Sequence, residues 1–181
     1  IVKDEQLFLD VPTTTAFLYD LETRKSYQLP YPMTSFAFTK DQKHVTFISV
    51  NYQTPDGIPK SQNPEIWKLP TQAGEQFEKT GEIEDKDPSI LSQNGRWLIS
   101  VPTPYNPETN TYDETSRPGR LWDVNCVTEK RECVPFSLPV SQAGFSPDSS
   151  HLIVGNRENS DPDTPLDFDI WSLPNRGGEP A

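Results

Sequence analysis

The sequence predicts an all-β chain assembled from a repeated four-stranded antiparallel unit, and three observations in its 181 residues carry that expectation. A short strand-like segment centred on an aromatic recurs as Phe17-Leu18-Tyr19-Asp20-Leu21, Glu65-Ile66-Trp67-Lys68-Leu69, Arg120-Leu121-Trp122-Asp123-Val124 and Asp169-Ile170-Trp171-Ser172-Leu173. Between these lie three copies of a corner followed by a strand. They are Phe38-Thr39-Lys40-Asp41 before His44-Val45-Thr46-Phe47, Leu91-Ser92-Gln93-Asn94 before Trp97-Leu98-Ile99-Ser100, and Phe145-Ser146-Pro147-Asp148 before His151-Leu152-Ile153-Val154. The third observation is the spacing: Tyr19, Trp67, Trp122 and Trp171 stand 48, 55 and 49 residues apart. A period of roughly 50 residues made of short strands marks a radial β repeat, the β-propeller. One such unit cannot bury its own apolar face, so neighbouring units must stack.

Taken in order, the chain opens inside a unit. Leu7-Phe8-Leu9-Asp10-Val11 has the composition of a second strand with no first strand before it. The aromatic segment at Phe17 is the third strand, and Ser26 to Leu29 forms the fourth after a hairpin through Glu22-Thr23-Arg24-Lys25. The next unit starts with alternating apolar residues from Thr34 to Phe38 and enters a corner where Asp41 can accept from nearby backbone amides. Its second strand, Val45 to Val50, is rich in β-branched and aromatic residues. The expected division is a partial blade over 1–32, blades over 33–80 and 81–138, and a partial blade over 139–181. The last unit reaches its third strand at Ile170-Trp171, and Gly177-Gly178-Glu179-Pro180-Ala181 offers a turn with no strand after it. About three to four blades and an incomplete ring are expected, the ring completed by further sequence or by another chain. Ile1 stands where an initiator Met would be, as in a processed or trimmed chain.

Composition narrows the function classes. Only 33% of residues are hydrophobic, mean hydropathy is −0.70 and there are 19 prolines, which suits short strands joined by long polar loops. The 16 basic and 27 acidic residues leave a net charge of −11, a field that repels phosphate backbones, so nucleic acid is not an expected partner. No apolar run reaches the length of a membrane span, and no charged-then-apolar leader opens the chain.

Cys126 and Cys133 flank Val127-Thr128-Glu129-Lys130-Arg131-Glu132, which reads as a β-hairpin tip with Glu129-Lys130 as its turn. The cysteines then fall opposite each other at about 4.5 Å between Cα atoms, within reach of a disulfide. A disulfide implies an oxidising compartment, periplasmic or extracellular.

Residues that carry chemistry are few. His44 and His151 share a repeat position with Trp97, so they are expected to be packing residues. Trp67, Trp122 and Trp171 likewise share a strand position with Tyr19, which points to core or interblade packing. There is no Gly-x-Ser-x-Gly elbow, no phosphate cradle and no paired zinc cysteines, so no catalytic residue is expected. Asp161, Asp163, Asp167 and Asp169, with Glu158, offer oxygen ligands in the last long loop, but Pro162 and Pro165 interrupt any calcium-loop spacing. They read as a solvated acidic loop, and no metal or cofactor is expected.

Phe145-Ser146-Pro147-Asp148, and Asp169-Ile170-Trp171-Ser172-Leu173 through Gly177-Gly178-Glu179-Pro180, resemble the TolB-like propeller repeat. That repeat has an F-S-P-D-G corner, then an apolar strand, then an I-W-x-L strand leading into a G-G-x-P hairpin. The resemblance covers nearly the whole chain, is best in the last unit, and is weakest where Ser92-Gln93-Asn94-Gly95 replaces the corner. It implies a periplasmic or secreted scaffold, or a propeller of the kind attached to serine peptidases.

Three long loops, Asn51 to Asn63, Pro102 to Gly119 and Asn156 to Phe168, all join a second strand to a third and are expected on one rim. Tyr52, Asp56, Tyr105, Asn106, Tyr112 and Arg157 are the binding residues expected there. Tyrosine gives contact area at low entropy cost, and the net negative charge favours a basic protein or peptide surface. The expected function is non-catalytic binding or assembly. The alternative is the propeller of a prolyl-oligopeptidase-like enzyme separated from its hydrolase domain.

Overall fold

The computed structural model describes residues 17–21, 23–29, 33–51, 60–61, 64–70, 76–85, 87, 89–102, 105–106, 111–112, 118–156 and 165–174. Strands β1 (Phe17–Asp20) and β2 (Lys25–Gln28) pair as a hairpin. Strands β3 (Met33–Phe38), β4 (His44–Asn51), β6 (Glu65–Lys68) and β7 (Glu78–Glu82) follow in spatial order, with β5 (Lys60–Ser61) paired to the end of β4. The next sheet orders β8 (Ser89–Leu91), β9 (Trp97–Ser100), β12 (Gly119–Asp123) and β13 (Phe136–Leu138). Its second-to-third connection carries a small hairpin of β10 (Tyr105–Asn106) and β11 (Thr111–Tyr112), and helix α1 (Val124–Thr128) lies between β12 and β13. The last sheet orders β14 (Gln142–Phe145), β15 (His151–Asn156) and β16 (Asp167–Ser172). These are antiparallel blades of a β-propeller: the third and fourth strands of one, two blades of four, and three strands of the last. The strand suggested at Leu7 to Val11 and the hairpin at Gly177 to Pro180 lie outside the described residues.

Each first-to-second strand corner is built by the same bonds. Backbone N–H groups of Thr39, Ser92 and Ser146 donate to the carbonyls of His44, Trp97 and His151 at 3.1, 2.9 and 3.0 Å. The hydroxyls of Thr39, Ser92 and Ser146 accept in return from the N–H groups of His44, Trp97 and His151 at 3.1, 2.9 and 2.9 Å. Two residues further on, Asp41, Asn94 and Asp148 accept from those hydroxyls and from the amides of Lys43, Arg96 and Ser150. Gln42, Gly95 and Ser149 close the corners at φ 56°, 68° and 58°, a left-handed conformation that favours glycine. Ser92-Gln93-Asn94-Gly95, the poorest match in sequence, therefore makes the same corner and alone keeps the glycine.

Strand register sets which side chains face which neighbour. Leu98 packs with Ile66, Ile83 and Val124, so the second position of β9 faces the preceding blade. Trp97, Ile99 and Leu121 pack with Leu152, Val154 and Leu173, so the first and third positions of β9 face the following blade. Burying each such aliphatic side chain contributes about 1.5–3 kcal/mol, which makes these two seams the main cohesion between blades. Trp122 joins the earlier seam and Trp171 the later one, so the third-strand aromatics face backwards, as the packing reading expected. Trp67 stacks on Phe47 at 5.7 Å on the equivalent face of its own blade.

Two expectations need correction. Trp97 is buried, but His44 is half-buried and His151 exposed, so the shared position packs only where its occupant is apolar. The cysteine segment is not a symmetric β-hairpin tip: Cys126 sits in α1 and Cys133 in the following loop. Asp123 caps that helix by accepting from the Asn125 N–H at 3.0 Å. Val124 and Val127, three apart, turn one face onto the preceding blade, where a Cβ added at Gly81 would lie 2.7 Å from Val127 Cγ1.

Candidate functional site

An antiparallel meander alternates its connections between the two ends of the sheet. The corners and the third-to-fourth turns therefore lie at one end, and the long second-to-third insertions at the other.

At the insertion end, the β10–β11 ladder pairs Tyr105 directly with Tyr112, and Asn106 with Thr111. Three of the expected binding residues are thus brought onto one short hairpin by backbone register. In the preceding blade, Val50 and Asn51 pair with Ser61 and Lys60, so that insertion also prolongs its strand. Tyr52, Asp56 and Arg157 lie outside the described residues. So do Glu158, Asp161 and Asp163, while Asp167 and Asp169 lie on β16 opposite Asn156 and Val154. Among the described residues no three His, Cys, Asp or Glu side chains gather as a metal site.

At the corner end a shallow depression of about 230 Å³ is lined by Lys40, Asn94, Arg96, Trp97, Asp148, Ser149 and Pro174. Arg96 is buried there, with Trp97 and Ser149. It donates from Nη1 to the Pro174 carbonyl at 2.6 Å and from Nη2 to Asp123 at 3.2 Å, with its guanidinium 4.8 Å from the Trp97 ring centre. The Asn94 N–H reaches Ser149 Oγ at 3.2 Å. The bonds from Arg96 to Pro174 and from Asn94 to Ser149 join the last two blades, so the depression reads as a seam. Between the two preceding blades, in the connection from β7 to β8, the buried carboxylate of Asp85 accepts from Trp122 Nε1 at 3.3 Å and lies 3.7 Å from Arg120 Nη1.

A Ser–His–Asp grouping that sequence reasoning did not find occurs at the last corner. Ser150 Oγ lies 2.6 Å from His151 Nδ1 and 2.8 Å from both oxygens of Asp148. Hydrogen bonds from Ser146 and from Ser150 hold the Asp148 carboxyl at about 2, against an ordinary 3.8. The carboxylate is therefore an acceptor only, and the single hydroxyl proton of Ser150 goes to it. The bond between Ser150 Oγ and His151 Nδ1 takes its direction from the imidazole tautomer. In a nucleophilic triad histidine stands between serine and the acid; here serine stands between, and its oxygen is not activated. The grouping is a corner lock.

Cys126 and Cys133 are joined by a disulfide with Cα atoms 5.8 Å apart. Among the described residues no helix is long and apolar enough to cross a membrane.

No family model matches the chain, and no curated protein matches it. Solved structures do. A eukaryotic initiation factor superposes with a TM-score of 0.50 at 16% identity, over 90% of this chain and 37% of that one. The β-propeller domain of the trilobed protease from Pyrococcus furiosus, described as an open velcro topology, gives 0.47 at 17% identity over 92% and 48%. The Pyrococcus horikoshii acylaminoacyl peptidase gives 0.49 at 16% identity over 91% and 27%. The chain spans less than half the length of each, and the likeness is one of fold.

Proposed function

We infer that this chain is a single propeller segment acting as a non-catalytic scaffold of the TolB-like type, which binds a protein or an extended peptide through its insertion rim. The observation that carries the reading is the β10–β11 ladder, which pairs Tyr105 with Tyr112 on the insertion between the second and third strands of its blade. Tyrosine supplies amphipathic contact area at low conformational-entropy cost, and the backbone ladder brings two of them to adjacent positions. Tyr52, Asp56 and Arg157 from the neighbouring insertions complete the proposed rim, and the net charge of −11 steers a basic partner surface towards it. The disulfide supports an exported, periplasmic or extracellular location. In this reading the ring is completed by further sequence or by another chain.

The test is affinity capture from periplasmic or secreted extracts with the wild-type chain and with Tyr105→Ala/Tyr112→Ala. Retention of a basic protein by the wild type and its loss in the variant are expected; identical capture by both overturns the reading. Release of a chromogenic peptide amide by the full parent polypeptide would instead favour the peptidase-propeller alternative.

A further inference from the structure

One short helix ties three successive blades together, and the disulfide closes on that helix. Helix α1 has 5 residues, far fewer than the about 12–15 that an isolated helix needs in water, so its surroundings hold it. Backwards, Val124 and Val127 pack with Ile66 and Ile83 of the preceding blade. Forwards, Asp123 uses both carboxylate oxygens: Oδ1 accepts from the Asn125 N–H at 3.0 Å, and Oδ2 accepts from Arg96 Nη2 at 3.2 Å. The Val124 N–H adds a bond to the Arg96 carbonyl at 2.7 Å. Arg96 in turn donates to the Pro174 carbonyl of the following blade. At the far end of α1, the amides of Glu129, Lys130 and Arg131 donate to the carbonyls of Asn125, Val127 and Cys126 at 3.1, 3.1 and 3.2 Å. All three donors lie between Cys126 and Cys133, inside the loop that the disulfide closes.

We propose that Cys126–Cys133 is a redox latch: with the bond formed, α1 holds the seams on both sides of its blade, and reduction loosens the helix and both seams together. Reduction passes two electrons and two protons to the pair, giving two thiols, while a dithiol co-reactant closes to its own disulfide. Both cysteines are half-buried rather than enclosed, which leaves the bond within reach of a small dithiol. Once it opens, residues 129–131 are free to leave the α1 carbonyls. The helix then keeps only its cap and two valines, and its loosening passes through Asp123 and Val124 to Arg96. The β9–β12 and β12–β13 ladders do not run through the disulfide, so the blade itself stays folded. The latch works whatever the insertion rim binds.

Hydrogen exchange read by mass spectrometry, on the oxidised chain and after treatment with dithiothreitol, tests the latch. Reduction is expected to speed exchange by about fivefold or more in three segments. These are 124–131, 80–83 beneath Val127, and 92–98, where the Asn94 amide bonds Ser149 across the forward seam. Strands β3, β4, β14 and β15 should keep their oxidised rates, and reoxidation should restore all three segments. Cys126→Ser/Cys133→Ser should exchange like the reduced chain without any reductant. Acceleration confined to 124–133, or none at all, overturns the latch and leaves a local staple. Uniform acceleration along the chain overturns it as well, since the disulfide would then hold the whole fold rather than two seams.

Discussion

Arg96 Nη1 donates to the Pro174 carbonyl oxygen at 2.6 Å, tying the corner of one blade to the end of the third strand of the next across 78 positions of sequence. The same guanidinium meets Asp123 at 3.2 Å and lies over Trp97, and its side chain is only 7% exposed. One residue therefore joins a corner, the start of a helix and a neighbouring blade.

Arg96→Ala is expected to lower the unfolding free energy by about 2–4 kcal/mol, since it removes the guanidinium donor from Asp123 Oδ2 and from the Pro174 carbonyl. Arg96→Lys should restore less than half of the loss, because an ammonium cannot span two acceptors and lie flat on the indole. Urea unfolding of the three proteins measures both values. Full rescue by lysine would mean that charge alone matters there.

The corners predict opposite outcomes for two substitutions at one repeat position. Gly95→Ala should destabilise by more than about 2 kcal/mol, because its Cβ would stand 2.6 Å from the Phe38 carbonyl oxygen at φ +68°. Gln42→Gly, at φ 56° on an exposed corner, should stabilise by about 0.5–1 kcal/mol. Melting temperatures moving apart in these directions support the shared corner geometry.

That shared geometry was only partly legible in the sequence. The recurrence of hydroxyl, acid and strand at Phe145-Ser146-Pro147-Asp148 revealed blade order and the corner, because local hydrogen bonding by short polar side chains leaves a local pattern. Which side chains pack forward and which backward also follows from strand alternation once the blades are counted. The helix after β12 was not legible, since Val124 and Val127 are two apolar residues among many, and only the blade they touch selects a helical spacing. Arg96 was equally hidden: Trp97 is its neighbour, but Asp123 and Pro174 come from distant segments, and no local pattern marks an arginine that bonds to both. Of the proposed rim, register joins Tyr105 and Tyr112, whereas Tyr52, Asp56 and Arg157 lie outside the described residues.

Acid should loosen the last corner late. Asp148 has a folded-state value of about 2 against an ordinary 3.8, so its contribution to stability is complete above the unfolded value and is lost as pH falls through the folded one. A carboxyl titration by NMR should give a midpoint near 2, and Ser146→Ala should move it upward towards 3.8. A midpoint unchanged by that substitution would contradict the hydrogen-bond cause. At the equivalent corner Asp41 is also lowered: burial opposes the shift, and bonds from Thr39 and Lys43 outweigh it.

Reduction of Cys126–Cys133 should cost at most about 2–3 kcal/mol, because a loop of 7 residues' separation restricts the unfolded chain only modestly. Unfolded, unreduced protein recovered from its native compartment should show no free thiol on titration. Two free thiols would remove both the disulfide and the argument for export.

The most direct test of the blade order compares thiol reactivity at one position in three blades. Ile66→Cys, Leu121→Cys and Ile170→Cys place the same probe at residues that are 0%, 0% and 68% exposed. In dilute native protein with the disulfide intact, the account predicts rapid maleimide labelling at position 170 and labelling at 66 and 121 only on unfolding. Protection at all three positions in a monomer, or rapid labelling at 66 or 121 in folded protein, would contradict a stack of blades whose last face is open.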